Sequence, residues 1–383
     1  MAVFNAPRHG HVNPTLAVVA ELVARGHRVS YAITEDFAPQ VKAAGADIVT
    51  YRVSHTALEA AEDLAAGATQ AMQQNLRALP ELMAAFADDT PDLVLYDLAA
   101  AGGRLLAAHW KVPAIQLAPT HLPYEGILPE LYGVPDLSCI PGVDILRMVL
   151  PARGVHEPLE ELLFAPRQAI AFFPRAFQRK PDTVTAGSVT YAGPALGDRS
   201  YQGNWEPPQD GRPVLFVSLG SQFTCRPEFY RACIEAFSDT GTHVVMSIGH
   251  SVDPADLGPV PKTMEMHTRV PQLDVLPHAA AFVTHGGMGS VMEALAHGVP
   301  LVVVPQMTEQ QANAHQVEQL SLGVHLPREQ ATPQALRDAV QRVTTAPEIA
   351  RGVAVLRQEI HEAGGAVAAA DAIERAFTLE PPR

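Results

Sequence analysis

The chain has 383 residues, 47% apolar and 18% charged, which is enough for two cores of ordinary domain size and excludes a small disulfide-stapled domain. With 41 acidic against 27 basic side chains its formal net charge is -14, so a protein that grips nucleic-acid phosphates through a broad basic surface is not expected. Cys139, Cys225 and Cys233 lack metal-ligand spacing and read as thiols of a reducing compartment. Since no leader pattern or bilayer-spanning apolar run is visible, a soluble cytoplasmic protein is expected.

In chain order, residues 2–6 form a short apolar run halted by Pro7 and read as a strand. Arg8-His9-Gly10-His11 reads as a loop, with Asn13 at the N-cap and Pro14 at the first position of a helix over 15–24. Leu16, Val19, Ala20 and Val23 share one stripe of that helix, which stops at Arg25-Gly26. A strand over 28–34 follows. Residues 91–97, PDLVLYD, form a nearly continuous apolar strand closed by an acid, and 99–110 has helical composition. This alternation predicts an α/β fold with a mostly parallel, doubly wound sheet.

Between 120 and 154 the rhythm breaks, with Pro123, Pro129, Pro135, Pro141 and Pro151 set among large apolar residues. His121, Leu122, Tyr124, Ile127, Leu131 and Tyr132 are candidates either to line an acceptor pocket for a flat, greasy hydroxylated molecule or to pack an interdomain core. The run PALGDRSYQGNWEPPQDGRP has the composition of a linker. The domains expected are 1–195, a linker over 196–212, and 213–360, with a helix and tail over 361–383 packing back on the first. The second half repeats the grammar: strands over 214–218, 243–248, 281–284 and 301–304, and helices over 228–237 and 290–296. Helices without strands fill 332–377.

Two such halves would present the C-terminal ends of their strands to a common cleft, where ligands of open parallel sheets bind. In FVTHGGMGSVME, residues 282–293, a buried strand runs through glycines into a helix. The amides of Gly287, Met288, Gly289 and Ser290, backed by the helix dipole, form an anion site, or merely a tight turn that lets strand and helix pack. His285 and the Ser290 hydroxyl can donate to a phosphate, and Glu293 can accept from vicinal ribose hydroxyls. A dinucleotide fingerprint would need glycine where Met292 stands and an acid some 20 residues on, so NAD is not expected. In the first half, His11 and Asp97 follow strand ends of one sheet, so an imidazole and a carboxylate can face each other there as general base and orienter. Separately, His11 reads as a polar loop residue and Asp97 as a helix N-cap.

VPQLDVLPHAAAFVTHGGMGSVMEALAHGVPLVVVPQMTEQQANA, residues 270–314, resembles the donor-binding signature of UDP-glycosyltransferase family 1, and GHVNP at 10–14 with the PDLVLYD ending at Asp97 resembles the acceptor side of its bacterial macrolide and flavonoid members. The resemblance covers essentially the whole chain. It implies the GT-B fold, two Rossmann-like doubly wound domains facing each other across a cleft, and an inverting, cofactor-free and metal-independent transfer of a hexose, glucose by analogy, from a UDP-sugar to a hydroxyl of a small hydrophobic acceptor. By the same resemblance His11 is the base and Asp97 its partner. His285, Ser290, Ser221 and the backbone around Gly287, Met288 and Gly289 hold the diphosphate, Glu293 the ribose, Glu309 and Gln310 the sugar hydroxyls, and Val270 and Gln272 the uracil edge. Arg269 stands where plant members stack uracil on Trp, and Gly289 where they place Asn. Thr284 replaces a second His of thymidine-sugar members, favouring uridine. A D-x-D motif for a bridging cation is absent from the sequence. Alternatives are a nucleotide-sugar epimerase, a non-catalytic nucleotide-sugar binder, and a metal hydrolase using His9-Gly10-His11. Oligomeric state is unreadable.

Overall fold

The computed structural model describes residues 1–52, 64–140, 142–152 and 155–379. The chain divides into two compact units, Met1–Gly197 joined by the chain from Glu362 onward, and Asp198–His361. Among its described residues the first unit holds seven parallel strands: β1 (Ala2–Phe4), β2 (Ser30–Ile33), β3 (Asp47–Thr50), β4 (Val94–Asp97), β5 (Ala114–Ala118), β6 (Gln168–Ala171) and β7 (Ser188–Tyr191), in the order β3-β2-β1-β4-β5-β6-β7. The second holds six: β8 (Val214–Ser218), β9 (His243–Ser247), β10 (Met264–His267), β11 (Ala279–Thr284), β12 (Leu301–Val303) and β13 (Gly323–His325), in the order β10-β9-β8-β11-β12-β13. Every strand pair is parallel.

The central strands are buried on both faces, which is why they read as unbroken apolar runs rather than as alternations. All residues of β1, β4 and β8 are buried, and Phe216 on β8 stacks on Phe282 of β11 at 4.5 Å between ring centroids. Each sheet has one point where consecutive strands depart in opposite directions, between β1 and β4 and between β8 and β11. Crevices of open α/β sheets form outside the C-terminal strand ends at such points.

The first helix differs from its expected form. It spans His9–Ala24 with Pro14 inside, so Asn13 is not its N-cap and Pro14 is not its first residue. Arg8 takes the extended cap conformation, and its carbonyl accepts the amides of His11 and Val12 at 3.0 and 2.9 Å, which starts the helix before the proline. His11 therefore stands in the first helical turn and not on a loop. The helix ends as expected: Gly26 has φ +91, its amide donates to the Val23 carbonyl, and the His27 amide reaches back to Leu22.

The proline-rich stretch fills the interior of the first unit. Leu122, Tyr124, Ile127 and Leu131 are buried, and Tyr132 packs against a cluster built on Leu137, Ile140, Val143 and Leu146. Pro141 and Gly154 lie outside the described residues. The helix Gly365–Leu379 packs Ala369, Ala370 and Ile373 into the same core cluster as Val19, Leu22 and Tyr31. Arg25 fastens it, with Nη1 at 2.7 Å from both Asp371 and Glu374, while His27 Nε2 meets Glu374 at 2.8 Å. The three cysteines are free, Cys139 and Cys225 exposed and Cys233 buried. Among the described residues no helix is long and apolar enough to cross a membrane.

Candidate active site

β1 and β4 are neighbours with Phe4 opposite Tyr96, so the residues that follow them leave the sheet side by side. The turn Asn5–Arg8 then places His11 in the opening turn of its helix, and Asp97 is the last residue of β4. His11 Nδ1 lies 2.9 Å from both oxygens of the Asp97 carboxylate. The Asp97 side chain is fully buried and that of His11 is 19% exposed. A carboxylate only accepts, so the imidazole donates from Nδ1, and in the neutral ring Nε2 carries a lone pair that can take a proton. The Ala99 amide also donates to Asp97 Oδ1, at 2.8 Å.

A polar network that sequence reading does not reveal supports His11 from below. Asn5 Nδ2 donates to the His11 carbonyl at 3.1 Å and to the Tyr31 hydroxyl at 2.7 Å, Tyr31 meets Thr15 Oγ1 at 2.7 Å, and Thr15 donates to the Val12 carbonyl at 2.8 Å. Asn5, Thr15 and Tyr31 are all buried. Desolvation pushes the phenols of Tyr31 and Tyr51 well above their ordinary range, and the nearby Asp97 charge adds to this, so both remain neutral. No spacing rule links positions 5, 15 and 31, because they meet only once the helix is laid across the sheet.

A small cavity, part of it open to solvent, adjoins these elements. Phe4, Asn5, Tyr51, Gln74, Asn75 and Ala99 are among its lining residues, and Asn5 Oδ1 and Gln74 Nε2 have no hydrogen-bond partner among the described residues. The six residues considered for the acceptor are not part of its wall. His121 stacks on Phe177, and Tyr124 donates to Glu130 at 3.0 Å. His9 meets Phe37 edge-on at 5.0 Å while His11 turns to Asp97, so the H-x-H pair does not converge. Among the described residues no group of three or more His, Cys, Asp or Glu side chains has metal-holding geometry.

In the second unit the donor-site candidates gather at the C-terminal ends of β8, β11 and β12. Ser221 follows β8, the turn 285–287 follows β11, and Glu309 and Gln310 open the helix Thr308–Gln319 beyond β12. Gly286 has φ +84, and a Cβ there would sit 2.4 Å from Val303 Cγ1, so only glycine makes this turn. The carbonyl of Gly286 is held by Asn313 Nδ2 at 2.8 Å, a buried contact with no forewarning in the sequence. The helix Met288–Ala296 starts at Gly287 with no side-chain cap, so the first-turn amides of Met288, Gly289 and Ser290 lack intrahelical acceptors. Nothing lies within 4 Å of a Cβ built on Gly289, so the space beside this first turn is open.

His285 sits between two glycines: a Cβ on Gly220 or on Gly287 would lie 2.6 Å from its Nε2. Burial lowers its pKa from 6.5 to about 4, against a smaller opposing effect of its hydrogen bond to the Ser218 carbonyl. The neutral ring thus donates one N–H to Ser218 and has a lone pair on its other nitrogen, so donation to a phosphate from that nitrogen requires a further proton. As the pH falls from 6.5 to about 4 the unfolded chain takes up this proton before the folded one, so stability present above pH 6.5 is lost across that window. We expect the melting temperature of His285→Asn to decline less steeply than that of the wild type over this range. Parallel curves would contradict the assignment.

Glu293 is buried and already engaged. Arg199 Nη2 lies 2.7 Å from Oε1 and Gln272 Nε2 lies 2.5 Å from Oε2, with the paired side chains of Arg199 and Glu293 only 7% and 8% exposed. Arg199 comes from the stretch read as a linker, so its pairing with the proposed ribose ligand was invisible in the sequence. Gln310 is likewise buried, and its Oε1 accepts the Gln306 amide at 2.8 Å, fixing the loop after β12. Val270 is buried, whereas Arg269 and Ser221 are exposed.

Residues 231–366 match the family described as "Erythromycin biosynthesis protein CIII-like, C-terminal domain". Across its length the chain is 38% identical to the NDP-glycosyltransferase YjiC of Bacillus licheniformis, covering 98% of this chain and 96% of that protein. It is also 38% identical to the oleandomycin glycosyltransferase of Streptomyces antibioticus, over 98% of this chain and 90% of the other. The crystal structure of CalG4, the calicheamicin glycosyltransferase, superposes with a TM-score of 0.88 at 37% identity, over 100% of this chain and 98% of that one. With two parallel doubly wound sheets and relatives of this kind along its whole length, the chain belongs to the GT-B glycosyltransferases, in the branch that contains the macrolide glycosyltransferases.

Proposed function

We propose that the protein is an inverting, metal-independent glycosyltransferase that moves a hexose, glucose in the first instance, from a UDP-sugar to a hydroxyl of a small hydrophobic natural product such as a macrolide or flavonoid. The observation that carries this reading is the His11 imidazole bound through Nδ1 to the buried Asp97 carboxylate, which leaves Nε2 to act as the base. The acceptor hydroxyl gives its proton to Nε2 and its oxygen attacks the anomeric carbon. The bond from that carbon to the diphosphate breaks, with its electron pair leaving on the phosphate oxygen. Asp97 stabilises the imidazolium that forms, and the uncapped amides at Met288–Ser290 meet the charge gathering on the diphosphate.

The cavity beside Asn5 and Asn75, lined mainly by apolar residues with Asn5, Gln74, Asn75 and Arg8 as the polar groups of its wall, is assigned to the hydroxylated acceptor. The names of the oleandomycin and calicheamicin relatives support a natural-product acceptor. Glu293 is assigned the ribose hydroxyls, Glu309 and Gln310 the sugar, and Val270, Gln272 and Arg269 the uracil side, as the family resemblance implies. Thr284 supports uridine over thymidine. Three free thiols fit a reducing compartment and hence the cytoplasm.

The test is a mass-spectrometric screen of UDP-glucose and TDP-glucose against macrolides and flavonoids, with a hexose adduct expected from UDP-glucose. An adduct from TDP-glucose alone would overturn the assignment of a uridine donor. An isomerised sugar nucleotide formed without acceptor would replace transfer with epimerisation. Transfer is expected to proceed unchanged in excess chelator, and strict dependence on added Mg2+ or Mn2+ would exclude the metal-free route.

A further inference from the structure

The geometry points to Asn75 as a positioning residue that holds Asp97, and through it His11, in working register from the wall of the cavity. Asn75 lies in the helix Leu64–Ala85 and its amide group is used on both sides. Nδ2 donates to the Ala71 carbonyl of its own helix at 2.7 Å and to the Ala99 carbonyl at 2.9 Å, while Oδ1 accepts the Gly102 amide at 3.0 Å. The helix Ala101–Trp110 begins at Ala100 without a side-chain cap of its own. Asn75 supplies that cap from another helix, at the second helical amide, where a local capping side chain would bond.

The consequence falls on Asp97. The Ala99 amide donates to Asp97 Oδ1 at 2.8 Å, and the carbonyl of the same residue is held by Asn75. The short connection after β4 is thus gripped on both sides of one residue. Without Asn75, the Ala99 carbonyl and the Gly102 amide both lose a partner, and the connection that aims the carboxylate at His11 keeps only the bond of its Leu98 amide to the Leu117 carbonyl and its own turn hydrogen bonds. Asn75 also lines the cavity, as do Ala71, Gln74 and Ala78 of its helix, so material filling that space presses on the residue that sets the base.

This inference rests on His11 acting as base, and its test separates the two. With UDP-glucose as donor and a flavonol as acceptor, Asn75→Ala is expected to lower kcat roughly 10- to 100-fold, as displacement of a reacting group by a fraction of an ångström to an ångström does, with the KM for UDP-glucose unchanged. In an Asp97→Asn background the same change should cost less than about threefold, because the group through which it acts is already impaired. Asn75→Asp keeps an acceptor for the Gly102 amide but has no donor for Ala99, so it should stay folded and still lose rate. In acceptor-free enzyme, Asn75→Ala should broaden the imidazole Nδ1 proton resonance of His11, a readout independent of any acceptor. Full activity of Asn75→Asp, an equal loss in both backgrounds or an unaltered resonance would overturn the positioning role. Undiminished activity of His11→Ala and Asp97→Asn would instead remove the catalytic reading beneath it.

Discussion

Replacing His11 with alanine is expected to lower kcat by about 10²- to 10⁴-fold, the range that a positioned general base contributes. The backbone at His11 is held by Asn5 and the Arg8 carbonyl independently of the imidazole, so the start of the helix should survive loss of the ring. Removing the ring leaves the buried Asp97 carboxylate with the Ala99 amide as its donor, so thermal unfolding should shift downward, while calorimetric titration with UDP should still return an affinity close to that of the wild type. Asp97→Asn should lower the rate as well, because a neutral amide can no longer stabilise the imidazolium, although it still offers an acceptor to the Ala99 amide. Loss of UDP binding in step with activity would show that His11→Ala had damaged the fold instead.

The largest stability effect is expected at Glu293. Its partner Arg199 is almost fully buried, and deleting the carboxylate strands a guanidinium away from water. Glu293→Ala should cost roughly 3–5 kcal/mol, on the order of 10 °C in the melting temperature of a unit this size. It also frees Gln272 and removes the acceptor assigned to the ribose, so affinity for UDP should fall in parallel. Stability and binding can be separated by Arg199→Met combined with Glu293→Leu, which replaces the pair with apolar volume. The double variant should recover most of the stability and none of the nucleotide affinity. Recovery of both would take Glu293 out of the donor site.

Much of this architecture could be read before any coordinates, and for identifiable reasons. β8 matched its expected span because VLFVS is an apolar run between Pro213 and Leu219-Gly220, and β4 stood out because an acid closes its apolar run. β3, β5, β6, β7, β10 and β13 are absent from the strands expected from the sequence. Of these, β3, β7 and β13 are short, and β3 and β7, which sit at sheet edges with partly exposed side chains, have neither a continuous apolar run nor clean burial. The start of the first helix was misplaced because Pro14 is a strong boundary marker locally, whereas the Arg8 carbonyl that starts the helix earlier carries no mark in the sequence.

At the site, residue types could be named but their existing partners could not. Glu293 was legible as an acceptor one turn into a helix, but not its pairing with an arginine 94 positions away. His285 was legible as a donor beside glycines. That burial keeps its ring neutral depends on how closely Gly220 and Gly287 flank it, which only the folded turn determines. Asn5, Asn75 and Asn313 went unnoticed because an asparagine in a turn or helix is unremarkable until its two-sided amide is seen bridging backbone groups far apart in the chain.

The return of the last helix to the first unit has a consequence for biosynthesis. Ala369, Ala370, Ile373 and Ala376 complete a hydrophobic cluster whose other buried members lie before residue 196, so the first unit lacks part of its wall until the residues beyond 365 have been synthesised. The second unit, whose residues 198–361 are contiguous, can close before it. Vectorial synthesis then completes these two units in the reverse of the order in which it reaches them, and a nascent chain stalled short of residue 365 would expose the flank of a sheet that the folded protein keeps dry.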